Sequence, residues 1–92
     1  DAHAGRTETS LLLCLSPEVV DFARAEVGNT DPIEELLPRL RAGGVAAVAP
    51  NGVLGDPRGS TAAEGAAILA QMCARSVAAL GRWQPNSNGM LA

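Results

Sequence analysis

Apolar positions fall into short runs separated by polar, glycine and proline punctuation. Leu11, Leu12 and Leu15 recur at helical spacings, which predicts a helix over residues 8–15. Thr7 or a neighbour is placed to cap it. Ser16-Pro17-Glu18 then restarts the backbone as cap, first helical residue and first-turn acid. This second helix, Pro17 to Ala25, is short, and Gly28-Asn29-Thr30 breaks the chain after it. Asp31-Pro32-Ile33-Glu34 is the next start: Asp31 caps, Pro32 takes the first helical position, and Glu34 sits where a capping box wants an acid. The helix runs toward Arg41 with Pro38 inside it, so it either kinks there or divides into two short turns. Gly43-Gly44 ends it.

Val45 to Ala49 is uniformly apolar and bounded by glycine and proline, which predicts a strand buried on both faces. Residues 50–60 read as a loop. Thr61-Ala62-Ala63-Glu64 forms a second capping box and opens the longest helix, Ala62 to about Arg82. Gly65, Leu69, Met72, Ser76, Leu80 and Trp83 make one stripe along it, flanked by Ile68, Cys73 and Val77. The small residues in that stripe permit close approach to a sheet or another helix. Residues 84–92 read as a polar tail behind a domain portion spanning 1–83. One strand cannot make a sheet, so its partners are expected to lie in a missing portion.

Composition narrows the function classes. The 92 residues bound the chain to one small domain with a modest core. One Phe, one Trp and no Tyr leave that core to aliphatic residues and point to packing against something else. A net charge of -3, with seven scattered arginines and no lysine, argues against nucleic acid. No apolar run reaches bilayer-spanning length, so no membrane partner is expected, and no signal peptide is visible. Cys14 and Cys73 lie far apart with no CxxC spacing, which predicts buried free thiols and a reducing, cytoplasmic location.

The candidate chemistry lies in the first ten residues. His3 is the only histidine, with Asp1 two residues before it and Glu8 five after it. A lone histidine there is either a surface or capping residue, or a group held near a helix N-terminus. The helix dipole would keep it neutral and able to accept a proton. Asp1 would orient a ring nitrogen or bind a substrate donor. Glu8 would face the same pocket or simply complement the dipole. Ser10 lies inside a helix with no strand-turn-helix elbow, so its hydroxyl is expected on a backbone carbonyl and not in nucleophilic catalysis. One His, two distant Cys and scattered acids do not supply three spaced metal ligands. The loop Gly52 to Pro57 lacks a P-loop lysine and reads as a turn in which Asp56 ties down its own backbone.

Asp1-Ala2-His3-Ala4-Gly5-Arg6-Thr7-Glu8-Thr9-Ser10 resembles the D-x-H-A-G-x-x-E-T-S segment of the creatininase family. Gly52 to Gly65 resembles that family's later G-x-x-G-D-P-x-x-A-T-x-E-x-G segment, with Ser60 where alanine is usual. The two segments stand in the family's order, and the resemblance covers nearly the whole chain. It implies the C-terminal part of a three-layer α/β/α sandwich, helix-rich in this portion. It also implies two divalent metals (zinc, iron or manganese) whose ligands sit in N-terminal Glu-x-His, bridging Asp and His-x-Glu motifs absent from this sequence. The start at Asp1 would separate this chain from that metal cage, so no metal is expected to bind it alone.

Carried over by position, Asp1 and His3 would contact substrate. His3 would transfer a proton to the leaving nitrogen, with Glu8 beside it in the catalytic pocket. The metals would activate water and polarise the scissile carbonyl. Gly43 to Val48, the Gly52 to Pro57 loop, Gly81-Arg82-Trp83 and Gly89-Met90-Leu91 narrow the resemblance to peptidase members. Those members release a C-terminal Val-Tyr dipeptide from a modified precursor peptide during biosynthesis of a redox cofactor. Homo-oligomers are common in the family. The alternatives are a hydrolase of a cyclic amide or formamide, and a non-enzymatic helical module that binds a partner through Leu11 to Leu15 and the long helix.

Overall fold

The computed structural model describes residues 1–83 and 85–90. Gln84, Leu91 and Ala92, at the ends of the predicted tail, lie outside the described residues. Three α-helices carry the architecture: α1, Arg6–Leu15; α2, Ile33–Gly43; and α3, Ala62–Arg82. Single 3-10 turns at Pro17–Val19, Phe22–Arg24, Val45–Ala47 and Pro57–Gly59 fill the connections.

α1 begins two residues earlier than the leucine spacing alone requires, and α3 matches its expected bounds. Trp83 adopts a left-handed conformation and closes α3, donating its N–H to the carbonyls of Ala79 and Leu80. Pro38 does not split α2, which continues on both sides of it. Its N-cap is Pro32, and Asp31 makes no capping bond. The Asp31 carboxylate instead lies 3.8 Å from Arg39, and its own N–H donates to the Asn29 side chain.

The expected helix over 17–25 is two separate 3-10 turns with an extended link at Val20. A segment this short, with adjacent β-branched valines and no fully buried residue in either turn, does not repay the cost of helix nucleation.

The strand expected at Val45 to Ala49 is absent, and Val45–Ala47 is a 3-10 turn. Among the described residues there is no strand, and His3 and Leu54 form an isolated antiparallel bridge. An apolar run without a neighbouring strand cannot satisfy its N–H groups in a ladder. Here Ala47, Val48 and Ala49 donate to the carbonyls of Gly44 and Val45. Val48 and Ala49 are buried nonetheless, in a small core with Leu36 and Leu54, against which Ile33 and Leu40 pack.

The second packing unit is α1 against α3. Ten residues of α1 span roughly 15 Å, whereas the 21 of α3 span roughly 31 Å. Only the first turns of the α3 stripe are therefore covered. Gly65 is buried, and Ile68 and Leu69 are half-buried. Met72, Val77, Leu80 and Trp83 remain exposed. The radius of gyration is 16.3 Å, against about 12 Å for a compact domain of this length. Such a shape leaves much apolar surface for further protein to cover. No helix among the described residues is long and apolar enough to cross a membrane.

Candidate functional site

The two motif segments, about fifty residues apart in sequence, form one structure in space. Ala2 and His3 donate their N–H groups to the Leu54 carbonyl at 2.9 and 3.3 Å, and Leu54 returns a bond to the His3 carbonyl at 2.9 Å. This pins the first residues onto the Gly52 to Asp56 loop.

Asp1 is wedged beneath the start of α1. Its Oδ2 accepts the Thr7 N–H at 2.9 Å. Thr7 is the second residue of the helix, and the N-cap residue, Gly5, has no side chain to satisfy that donor. A distant aspartate thus replaces the expected Thr7-type cap. Both Gly5 and Gly55 make room for it. A Cβ on Gly5 would collide with the Asp1 carboxylate, and one on Gly55 would lie 2.7 Å from the Asp1 Cβ.

Glu8 is fixed by backbone. Ala4 has a left-handed φ of 53°, uncommon for a residue with a side chain. That conformation delivers its N–H to Glu8 Oε2 at 2.8 Å. The same oxygen lies 4.0 Å from His3 Nδ1. The separation suits an ion pair and exceeds a hydrogen bond. The His3 and Glu8 side chains are 61% and 56% exposed, so a ligand can reach them. Asp1, His3 and Glu8 line one shallow pocket of about 180 Å³ with Gly5, Thr7 and Leu11. The structure therefore gathers all three candidate residues. His3 is a surface residue, and it has the Glu8 carboxylate as a neighbour.

A polar relay supports this pocket from below. Ser10 is fully buried, and its hydroxyl donates to Glu64 Oε2 at 3.2 Å while accepting the Thr61 N–H at 3.2 Å. It does not bond a backbone carbonyl, contrary to the sequence expectation. The relay also reroutes the capping box of α3. Thr61 Oγ1 accepts the Glu64 N–H at 3.0 Å, but the Glu64 carboxylate does not reach back to the Thr61 N–H. It turns across to α1, where Arg6 Nε donates at 2.6 Å. The Arg6 bond, more than Coulomb attraction, holds the Glu64 carboxyl below the usual carboxylate range, and Glu64 raises the Arg6 guanidinium in turn. Ser60 donates to the Arg6 carbonyl at 3.3 Å. In the adjoining turn, side-chain and then backbone hydrogen bonds from Arg58 lower Asp56 to about 2. The expected tie between Asp56 and its own backbone is present as the Arg58 N–H bond at 3.1 Å.

The Ser10→Ala variant should lose about 1–3 kcal/mol, because it removes a fully buried hydroxyl and leaves the part-buried Thr61 N–H without its partner. Denaturant unfolding of the full-length protein checks this, and a midpoint equal to the parent's would contradict it.

Sequence reasoning missed Arg6, Gly55 and the Ser10–Glu64 crossing. Glycines at close approach were the available signal, but they carry no information about which segment they approach. Among the described residues, no three His, Cys, Asp or Glu side chains are placed to hold a metal ion. His3 and Glu8 supply two donors only.

A family model described as "Creatininase: Creatinine amidohydrolase" matches residues 1–80. The mycofactocin precursor peptide peptidase of Mycobacterium ulcerans is 58% identical over 91 residues, covering 99% of this chain and 36% of that protein. Its namesake from Mycolicibacterium smegmatis is 54% identical over 91 residues, covering 99% of this chain and 37% of that protein. The chain thus spans about a third of the length of the curated relatives it matches. No solved structure matches it.

Proposed function

The chain belongs to the creatininase family, and on that premise we propose that it is the C-terminal, proton-transferring third of a peptidase acting on the mycofactocin precursor peptide. The family implies an α/β fold, and the described residues contribute helices and no strand to it. In our reading they lie within a three-layer sandwich whose strands come from the remaining sequence. The exposed apolar length of α3 and the large radius of gyration support this placement.

The observation that carries the reading is the His3–Glu8 pair, 4.0 Å apart in the pocket that Asp1 also lines. With Nδ1 turned to Glu8, His3 presents Nε2 to the leaving nitrogen and gives up its proton there. Glu8 stands on the Nδ1 side and sets which ring nitrogen faces the substrate. Its own position is set by the Ala4 N–H. Asp1 spends Oδ2 on Thr7, and in this reading its other oxygen accepts from a substrate N–H.

The family is generally dependent on divalent metal. The described residues do not assemble a metal cage, so the steps assigned to this chain are proton transfer and substrate contact only. We assign zinc, iron or manganese to ligands elsewhere in the parent. Cys14 and Cys73 are free thiols but are not buried as expected, since Cys14 is half-buried and Cys73 exposed on the uncovered length of α3. A cytoplasmic compartment and a homo-oligomeric parent belong to the same proposal.

The test is to incubate the metal-loaded full-length enzyme with the modified precursor peptide and with creatinine. The expected result is loss of a C-terminal Val-Tyr dipeptide by mass spectrometry and no turnover of creatinine. Turnover of creatinine alone would transfer the chain to the cyclic-amide branch of the family. Turnover of neither would leave the helical-module reading.

A further inference from the structure

We propose that Asn51 is a positioning residue for His3: it holds the extended segment 53–55 along one edge, and that segment holds the His3 backbone along the other. This rests on the peptidase reading. The His3 ring is exposed, and Glu8 Oε2 stands 4.0 Å from its Nδ1, beyond a hydrogen bond. The ring therefore takes its place from the backbone that carries it. That backbone is bonded twice to Leu54, whose N–H donates to the His3 carbonyl at 2.9 Å and whose carbonyl accepts the His3 N–H at 3.3 Å. Whatever moves Leu54 moves His3.

The segment is also bonded on its far edge. The Asn29 N–H donates to the Val53 carbonyl at 3.0 Å, and the Gly28 N–H donates to the Gly55 carbonyl at 2.9 Å. Leu54 turns its backbone groups toward His3, and its two neighbours turn theirs the other way, as along any extended chain. The approach is close, since a Cβ on Gly28 would collide with the Val53 carbonyl. Asn51 closes this seam with one amide. Its Oδ1 accepts the Val53 N–H at 3.0 Å, and its Nδ2 donates to the Val27 carbonyl at 3.0 Å. An aspartate there would keep the acceptor and lose the donor, and an alanine would lose both.

Asn51 does not line the pocket of Asp1, His3 and Glu8, so it acts on that pocket through Leu54. It is exposed, and water can take over its two bonds when the amide is removed. The fold as a whole then loses little. Water does not, however, fix the distance between the two segments it hydrates. The loss falls on where Leu54, and with it His3, is held. A misplacement of about 1 Å at a reacting group can cost about a hundredfold in rate.

The test uses the metal-loaded full-length enzyme and the modified precursor peptide. Asn51→Ala should lower kcat about ten- to a hundredfold with KM nearly unchanged. Asn51→Asp keeps the size and the Val53 bond but sets an oxygen against the Val27 carbonyl, so it should be as slow as Asn51→Ala. In the His3→Asn background, Asn51→Ala should cost less than about twofold more, because no ring remains to misplace. Should Asn51→Ala fold poorly, Asn51→Asp takes its place in this cycle. Losses that multiply across Asn51 and His3 would reduce the role to a structural one. A loss carried by KM would make Asn51 a substrate contact, and full activity in Asn51→Asp would make the seam dispensable. Each of these overturns the proposal and leaves the peptidase reading standing. Turnover of creatinine in place of the peptide overturns the peptidase reading, and the same cycle on creatinine then decides the proposal. Turnover of neither overturns both.

Discussion

Replacing His3 by asparagine should lower kcat on the precursor peptide by about 10²–10⁴-fold, the usual contribution of a positioned acid or base. KM should change little, because the loss falls on proton delivery in the transition state. Thermal stability should also hold, since the side chain is 61% exposed and its backbone, not its ring, carries the bridge to Leu54. In the proposed account the metal content of the parent should be unchanged, because among the described residues His3 and Glu8 gain no third donor. Steady-state kinetics with parallel metal analysis checks all three expectations. A His3→Asn enzyme with intact kcat would remove the histidine from the chemistry. One with reduced metal content would make His3 a ligand instead.

The second large effect is structural. Gly65→Ala should destabilise the full-length protein by about 1–3 kcal/mol, or roughly 2–4 °C of Tm per kcal/mol. Two effects oppose each other at this position. Alanine gains about 1 kcal/mol over glycine in a helix interior. Against that, the new Cβ would meet the backbone carbonyl of Ser10, and the Leu11 nitrogen stands 2.9 Å away. Backbone cannot rotate aside as a side chain can, so the helices must separate and the steric term wins. Separation also loosens the Ser10, Thr61 and Glu64 bonds one turn from Glu8, so activity should fall with stability. Gly81→Ala is the internal control. It lies in the same helix with nothing within 4 Å of its would-be Cβ, so it should be neutral or slightly stabilising. Equal shifts in the two variants would contradict the close helix contact.

These effects show which parts of the molecule local sequence encodes. α3 was legible because its cap at Thr61 and its long apolar stripe act within a few residues, while its stop at the left-handed Trp83 carried no sequence signal. The leucine spacing of α1 was legible for the same reason. The run Val45 to Ala49 was not. An apolar pentapeptide between glycine and proline fits a strand or a turn equally well, and pairing partners decide between them. With none among the described residues, its donors are met locally. The capping box at Thr61 was half right: the hydroxyl bond is local, while Glu64 was drawn away by Arg6 and Ser10, more than fifty residues distant.

The site divides in the same way. That Asp1, His3 and Glu8 share a pocket follows from their spacing around a helix start. That Asp1 also caps α1, wedged between two glycines, required knowing that Gly55 comes to Gly5. The two motif segments are thus a scaffold as well as a site. Several of their residues (Gly5, Ser10, Gly55, Thr61, Glu64, Gly65) hold the others in place.

The central claim is that His3 and Glu8 act as one proton-transferring unit on that scaffold. A double-mutant cycle on kcat tests it most directly, using His3→Asn, Glu8→Gln and the doubly substituted full-length enzyme. The account predicts strong non-additivity, with the double variant no slower than His3→Asn alone by more than about twofold. Losses that multiply across the two sites would show that the residues act independently, and would contradict it.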